Sequence, residues 1–252
     1  MMFTCAMPGC IDPRHDHVGA PLSRDAPLPR GAPPARRAPA KAARAAISTK
    51  VIRGRMGKGL RIDIHCHYLN QAVAAKVANL NPAQYEPSVT FANALTREVN
   101  VKQIRDRLPK LSTIETRLKD MDRMGIDMQA VSPAPNQCYY WTEPELGVEL
   151  SRMVNDRLAE IVGTWPERFV ALGTVPLQHV DLAVAELERC VKKLGLRGVE
   201  INPSINGMDL TDPRLKLEKF FAKAQALDVI IFMHPIGFQL TTWGRLKLNQ
   251  RA

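Results

Sequence analysis

Long apolar runs are missing from this chain. No stretch of its 252 residues approaches the roughly 18–20 consecutive apolar side chains that a membrane-spanning helix needs, which excludes a helical membrane protein. Cysteine is sparse: of the five, Cys66, Cys138 and Cys190 show no paired spacing, so a disulfide framework is excluded and a reducing, cytoplasmic setting is expected. Acidic residues are scarce at one end only. Residues 1–60 hold 11 Lys/Arg against 3 Asp and no Glu, whereas residues 61–252 hold 24 against 22, so most of the net charge of +10 belongs to the N-terminal segment. The remainder is close to neutral and carries no signal for nucleic-acid or membrane-surface binding.

The N-terminal segment, residues 1–59, also has few large apolar side chains. It has eight prolines before position 40 and runs such as Ala32-Pro33-Pro34-Ala35-Arg36-Arg37. Such a segment cannot bury enough surface to offset its ordering entropy, so a disordered Pro/Ala/Arg-rich extension is predicted. A targeting leader would need an amphipathic helix, which the prolines oppose. A nucleic-acid arm would need aromatic side chains among its arginines, and Phe3 is the segment's one aromatic residue. His15-Asp16-His17 and the Cys5/Cys10 pair resemble metal ligands, but no scaffold fixes them.

Residues 60–252 alternate between strand and helix signals. The apolar run Leu60–Ile64 ends in His65-Cys66-His67. Residues two apart on a strand point the same way, so this His-x-His pair aims two imidazoles at one point. Imidazole is an ordinary ligand for zinc and other first-row metals, and a catalytic site needs about three protein ligands with one position open. Further strands are predicted at Met128–Pro133, Phe169–Val175, Gly198–Asn202 and Val229–His234, the last apolar enough to be buried on both faces. Helices are predicted over 71–78, from Ser112 with Glu115 as a capping box to a stop at Gly125, from a second capping box at Thr142/Glu145 through Ile161, over 181–194, and over 213–227. Between the first two lies a long polar insertion, about residues 79–111.

Strand ends near 67, 133, 175, 202 and 234 imply right-handed parallel βαβ crossovers. No Gly-x-Gly-x-x-Gly follows the first strand, which weakens a doubly wound dinucleotide-binding sheet. Candidate functional groups His65, His67, Asn202 and His234 all fall at strand C-terminal ends, where barrel enzymes build their sites. The predicted fold is therefore α/β: a partial (β/α)8 TIM-like barrel with about five of its eight strands.

Taken together, Asp63-x-His65-x-His67, the stretch MDRMGIDMQAVSP (121–133), RFVALGTVPLQ (168–178), LGLRGVEINPS (194–204) and MHP (233–235) resemble the amidohydrolase superfamily, and most closely its aminocarboxymuconate-semialdehyde decarboxylase-like branch. The resemblance implies that His65, His67 and His234 hold one divalent metal, zinc or another. It implies a decarboxylase acting on a small unsaturated or aromatic carboxylic acid. A metal-dependent hydrolase of amide, ester or lactone bonds is the alternative, and a non-catalytic half-barrel interaction protein a second. No lysine stands at the fourth strand's end, which argues against a two-metal, carbamylated-lysine hydrolase. Arg105, with Arg97, Lys102 and Arg107 nearby, is the candidate grip on a substrate carboxylate, and Asn202 a second substrate contact. Glu200 is either an inward polar group or a buried salt-bridge partner.

The family's sixth-strand histidine and eighth-strand aspartate have no counterpart here, so the catalytic acid–base group is unassigned. A C-terminally truncated member is expected, weakly active or inactive alone. Its exposed edges would be covered by a complementing C-terminal fragment or by a homo-oligomer.

Overall fold

The computed structural model describes residues 59–90 and 92–236, together with two two-residue strands, Phe3–Thr4 and His15–Asp16, that pair in parallel. The predicted extension otherwise lies outside the described residues, as does the segment after Ile236. Among the described residues no helix is long and apolar enough to cross a membrane.

Five parallel strands follow one another in chain order. Strand β1 (Ile62–Tyr68) pairs with β2 (Met128–Pro133), and β2 with β3 (Phe169–Ala171). Strand β4 (Gly198–Ile201) pairs with β5 (Ile230–Met233). The two groups join where Gly173 bridges to Val199: the Gly173 N–H donates to the Gly198 carbonyl at 2.9 Å, and the Glu200 N–H to the Gly173 carbonyl at 2.8 Å. Helices occupy the crossovers: α1 (Gln71–Val77), α2 (Ala94–Ser112), α3 (Ile114–Met124), α4 (Pro144–Thr164), α5 (Val180–Lys192) and α6 (Glu218–Leu227).

The third strand is shorter than the apolar run 169–175 predicts. Thr174 takes its backbone partners from a side chain instead of the ladder. The fully buried Asn155 of α4 accepts from the Thr174 N–H and donates to its carbonyl, both at 2.8 Å. Gly173 makes room for this: a Cβ there would stand 2.6 Å from Asn155 Oδ1. Gly198 is required for the next junction, because with φ +152 its Cβ would lie 1.8 Å from the Ile230 carbonyl oxygen.

Helix starts differ from the capping-box reading. Ser112 ends α2, and its hydroxyl donates to the Leu108 carbonyl at 2.7 Å; the N-cap of α3 is Thr113, with no side-chain cap. Likewise Thr142 donates to the Tyr139 carbonyl, and α4 opens on Pro144 at its first turn. The Gly125 stop holds, in the left-handed conformation. Helix α2 lies in the predicted polar insertion and buries no residue, so no apolar stripe announced it. The expected 213–227 helix divides into a 3₁₀ turn, Pro213–Leu215, and α6, with Lys216 left-handed between them. A hairpin, Ser204–Ile205 with Met208–Asp209, turns through Asn206-Gly207 at positive φ.

Alternate side chains of the strands pack on the helices. Cys66, Val131, Phe169 and Ala171 join Leu150, Val154, Leu158 and Ile161 of α4 in one apolar cluster, while Val199 and Ile201 join Leu187 and Phe220 in a second. The outermost strands are left bare. Ile62 and Ile64 on β1 are 47% and 68% exposed, and Ile230 and Met233 on β5 are 59% and 54% exposed. The fifth strand is therefore not buried on both faces.

Replacing Asn155 with alanine should leave the Thr174 N–H and C=O without partners in the core. The expected loss is about 2–4 kcal/mol, read as a lower urea midpoint at unchanged m-value. A change under about 0.5 kcal/mol would mean that the strand ladder takes the two groups over.

Candidate metal centre

Strand β1 carries one more residue than its partner between Asp63 and Cys66, since Asp63 faces Gln129 and Cys66 already faces Val131. This bulge shapes the end of the strand. The Asp63 carboxylate accepts from the His65 N–H at 3.1 Å and from Gln129 Nε2 at 2.9 Å. Gln129 Oε1 accepts in turn from the buried Arg117 guanidinium at 3.1 Å, and a second Arg117 nitrogen donates to the His67 carbonyl. Burial pulls the Arg117 pKa below its ordinary value, with Cys66 and Asp63 opposing. Sequence reasoning missed Arg117. The signal was there: it sits three residues after Ile114 and four before Met121, on the buried stripe of α3.

His65, His67 and His234 converge. Ring centroids are 5.0 Å apart for His65–His67 and for His65–His234, and 4.7 Å for His67–His234. One ligand atom from each lies within 4.8 Å of the others. His234 is placed by the β4–β5 ladder, its N–H donating to the Ile201 carbonyl at 2.9 Å. Its Nε2 stands 3.0 Å from His65 Nε2. A divalent ion bound by both at about 2.0–2.1 Å would set the two nitrogens about 3.0–3.4 Å apart, so the pair fits one ion.

His67 has a defined tautomer. Its Nδ1 lies 2.9 Å from the Pro133 carbonyl oxygen, which can only accept, so Nδ1 carries the proton and Nε2 the lone pair. That Nε2 is buried without a hydrogen-bond partner. The same Nδ1 edge meets Ser132 Oγ at 3.1 Å and Glu200 Oε2 at 3.5 Å. Burial first, then the neighbouring His234, pushes the His67 pKa down to about 4, and His234 is lowered by burial and by His65. Both imidazoles are thus kept neutral, the form that binds metal.

Of the two readings weighed from the sequence, Glu200 fits the inward polar group, since His67 beside it is neutral and among the described residues no Lys or Arg pairs with it. It is fully buried and faces His67, and both of its oxygens lack hydrogen-bond partners. Burial pushes its pKa up to about 7, with Ser132 opposing. Asn202 is buried at the end of β4; its amide donates to the Pro135 carbonyl at 3.3 Å and its Oδ1 is left open. Arg105 is not brought to the histidines. It lies on α2 with its side chain 72% exposed and its ion-pair partner is the adjacent Asp106.

In the metal-free chain His67 and Glu200 should tilt stability in opposite directions. With a folded pKa of about 4 against an ordinary 6.5, His67 contributes stability that is present above about 6.5 and lost as pH falls through 4. Glu200, raised from 4.5 to about 7, contributes stability that is present below about 4.5 and lost as pH rises through 7. Denaturation across pH in chelator, with Glu200→Gln beside the wild type, isolates the second effect. Wild-type stability minus variant stability should fall between about pH 4.5 and 7, and a pH-independent difference would contradict the assignment.

A sequence model of the amidohydrolase family, described as amidohydrolase, matches residues 62–247. The 2-amino-3-carboxymuconate-6-semialdehyde decarboxylase of Dictyostelium discoideum is 34% identical over 48% of this chain and 33% of its own length. The gamma-resorcylate decarboxylase of Rhodococcus jostii is 33% identical over 68% of this chain and 47% of its own. Among solved structures, a dihydroxybenzoic acid decarboxylase from a Polaromonas species, with bound manganese and the inhibitor 2-nitroresorcinol, superposes with a TM-score of 0.54 at 26% identity, over 76% of this chain and 54% of that one. The chain thus spans a third to a half of the length of these relatives. The family match takes in all five strands and the three histidines at their ends: the chain belongs to the amidohydrolase family.

Proposed function

We propose that this chain forms the metal-binding half of a metal-dependent decarboxylase acting on a small aromatic or unsaturated carboxylic acid. The observation that carries this reading is the His67 ring, with its proton fixed on Nδ1 and a buried, unpartnered Nε2, packed against the rings of His65 and His234. A bound divalent ion would supply positive charge to hold the substrate's oxygen atoms and stabilise the electron density left by departing CO2. Three imidazoles suit zinc, and the manganese of the Polaromonas enzyme makes that metal the second to try.

The chain's own groups hold and orient. Asp63, Gln129 and Arg117 fix the backbone that presents His65 and His67, and the Pro133 carbonyl fixes the His67 tautomer. Asn202, with an open buried acceptor at the same rim, is the better placed of the two substrate contacts. Arg105 would need the substrate to reach outward to α2. The decarboxylase relatives favour carbon–carbon cleavage over hydrolysis, and the free, buried cysteines accord with a cytoplasmic setting.

The architecture proposed is five strands of a (β/α)8 barrel. Its closure would come from strands seated against β1 and β5, in continuing polypeptide, a complementing fragment or a second copy. The exposed Ile62, Ile64, Ile230 and Met233, and the half-length coverage of the relatives, support this.

Equilibrium dialysis of the full chain with zinc or manganese should give one ion per chain. His67→Ala or His234→Ala should weaken binding more than about 100-fold, beyond what the loss of an outer partner does. Unchanged affinity in both would sink the metal site. Native mass spectrometry of the protein from its own cells should give an assembly heavier than the 28.1 kDa of this sequence. A lone 28.1 kDa species whose β1 and β5 amides exchange freely would refute the closure.

A further inference from the structure

Glu200 is used by none of the steps above, and its burial calls for either a proton or a counter-charge. It is fully buried, neither oxygen has a hydrogen-bond partner, and among the described residues no Lys or Arg pairs with it. A carboxylate placed so is strongly disfavoured unless some positive charge answers it. Cys138 and Tyr140 lie near enough to feel it, but a thiol and a phenol are neutral or negative, never positive, so neither can supply that charge. The remaining neighbour is His67, whose Nδ1 edge faces Glu200 Oε2 at 3.5 Å. Its other nitrogen, Nε2, is buried without a partner, and its ring packs against those of His65 and His234.

We propose that Glu200 is a positioning residue for the metal centre. In the loaded site it is a negative charge behind His67 that holds the ring and is answered by the ion beyond that ring. This inference rests on the metal site proposed above and deepens it. The Pro133 carbonyl is enough to select the tautomer, so what Glu200 adds is charge. The arrangement assigns the residue an effect of opposite sign in the two states of the protein: unfavourable when the site is metal-free, favourable when it is loaded. A residue that merely packed the core would act with one sign in both.

The test measures zinc affinity by competition with a chromophoric chelator, and the melting temperature of the metal-free form. Both are read in mildly alkaline buffer on the full-length wild type, Glu200→Gln and Glu200→Asp. The expected result is a 10–100-fold weaker zinc affinity for Glu200→Gln, as for loss of an outer partner. Its metal-free melting temperature should be equal to or above that of the wild type, and Glu200→Asp should recover part of the affinity. Wild-type and Glu200→Gln affinities that coincide would overturn the role of Glu200 while leaving the metal site standing. A Glu200→Gln chain that loses affinity and metal-free stability together, with no recovery in Glu200→Asp, would reduce Glu200 to a packing residue and overturn it equally. A wild type that binds no zinc or manganese would remove the metal site itself, and this inference with it.

Discussion

Arg117 carries a permanent charge into the floor of β1, and the shape of the site depends on how that charge is satisfied. A guanidinium can only donate, so it must find acceptors. It takes the Gln129 amide oxygen and the backbone carbonyl of His67. Gln129 passes the constraint to Asp63, and Asp63 to the backbone of His65. Helix α3, strand β2 and the end of β1 are thereby tied at one point, and the two histidines leave the strand from a backbone held by Asp63 at the His65 N–H and by Arg117 at the His67 carbonyl. Removing one member of such a network strands the others in a place with little water.

Parallel order does the rest. Strands that run the same way bring their C-terminal ends to one rim, and His67, Glu200, Asn202 and His234 come from three of those ends. At the rim several buried polar atoms are left open, on His67, Glu200, Asn202 and His234. Folded proteins rarely tolerate this, and such atoms gathered in one place are what a site looks like before its ligand arrives. Burial also keeps His67 uncharged well below the pH at which an exposed imidazole would gain a proton, so the site needs no proton release from that ring at neutral pH.

Much of this was legible in the residues. Strand positions, the two-apart histidines and the distant His234 followed from apolar period and from the order of strand ends. What escaped has physical reasons. Helix α2 has no buried face, so its sequence has no helical period to detect. The capping boxes at Ser112 and Thr142 failed because each hydroxyl had a closer backbone carbonyl to bond. The third strand ended early because Asn155, distant in sequence, replaced its ladder, which no local pattern can reveal. The Asn206-Gly207 turn is the opposite case: that dipeptide announces a hairpin, and the reading passed over it. Arg105, offered by its family position, faces solvent, because an insertion fixes the order of residues more tightly than where a helix points them.

The bulge in β1 makes the strand sensitive to number rather than kind. Ile64 sits in the stretch where β1 holds one residue more than β2, and its side chain is among the most exposed on the strand. Its identity is left free by the described residues, since little among them packs against it. Its presence is not. Losing that one residue would turn an irregular strand into a regular one: His65 and His67 would still point the same way, but Asp63 would stand directly before His65 and lose the N–H that it accepts from two residues away. A three-base deletion there would undo the tie between Asp63 and His65 without touching the codon of either residue.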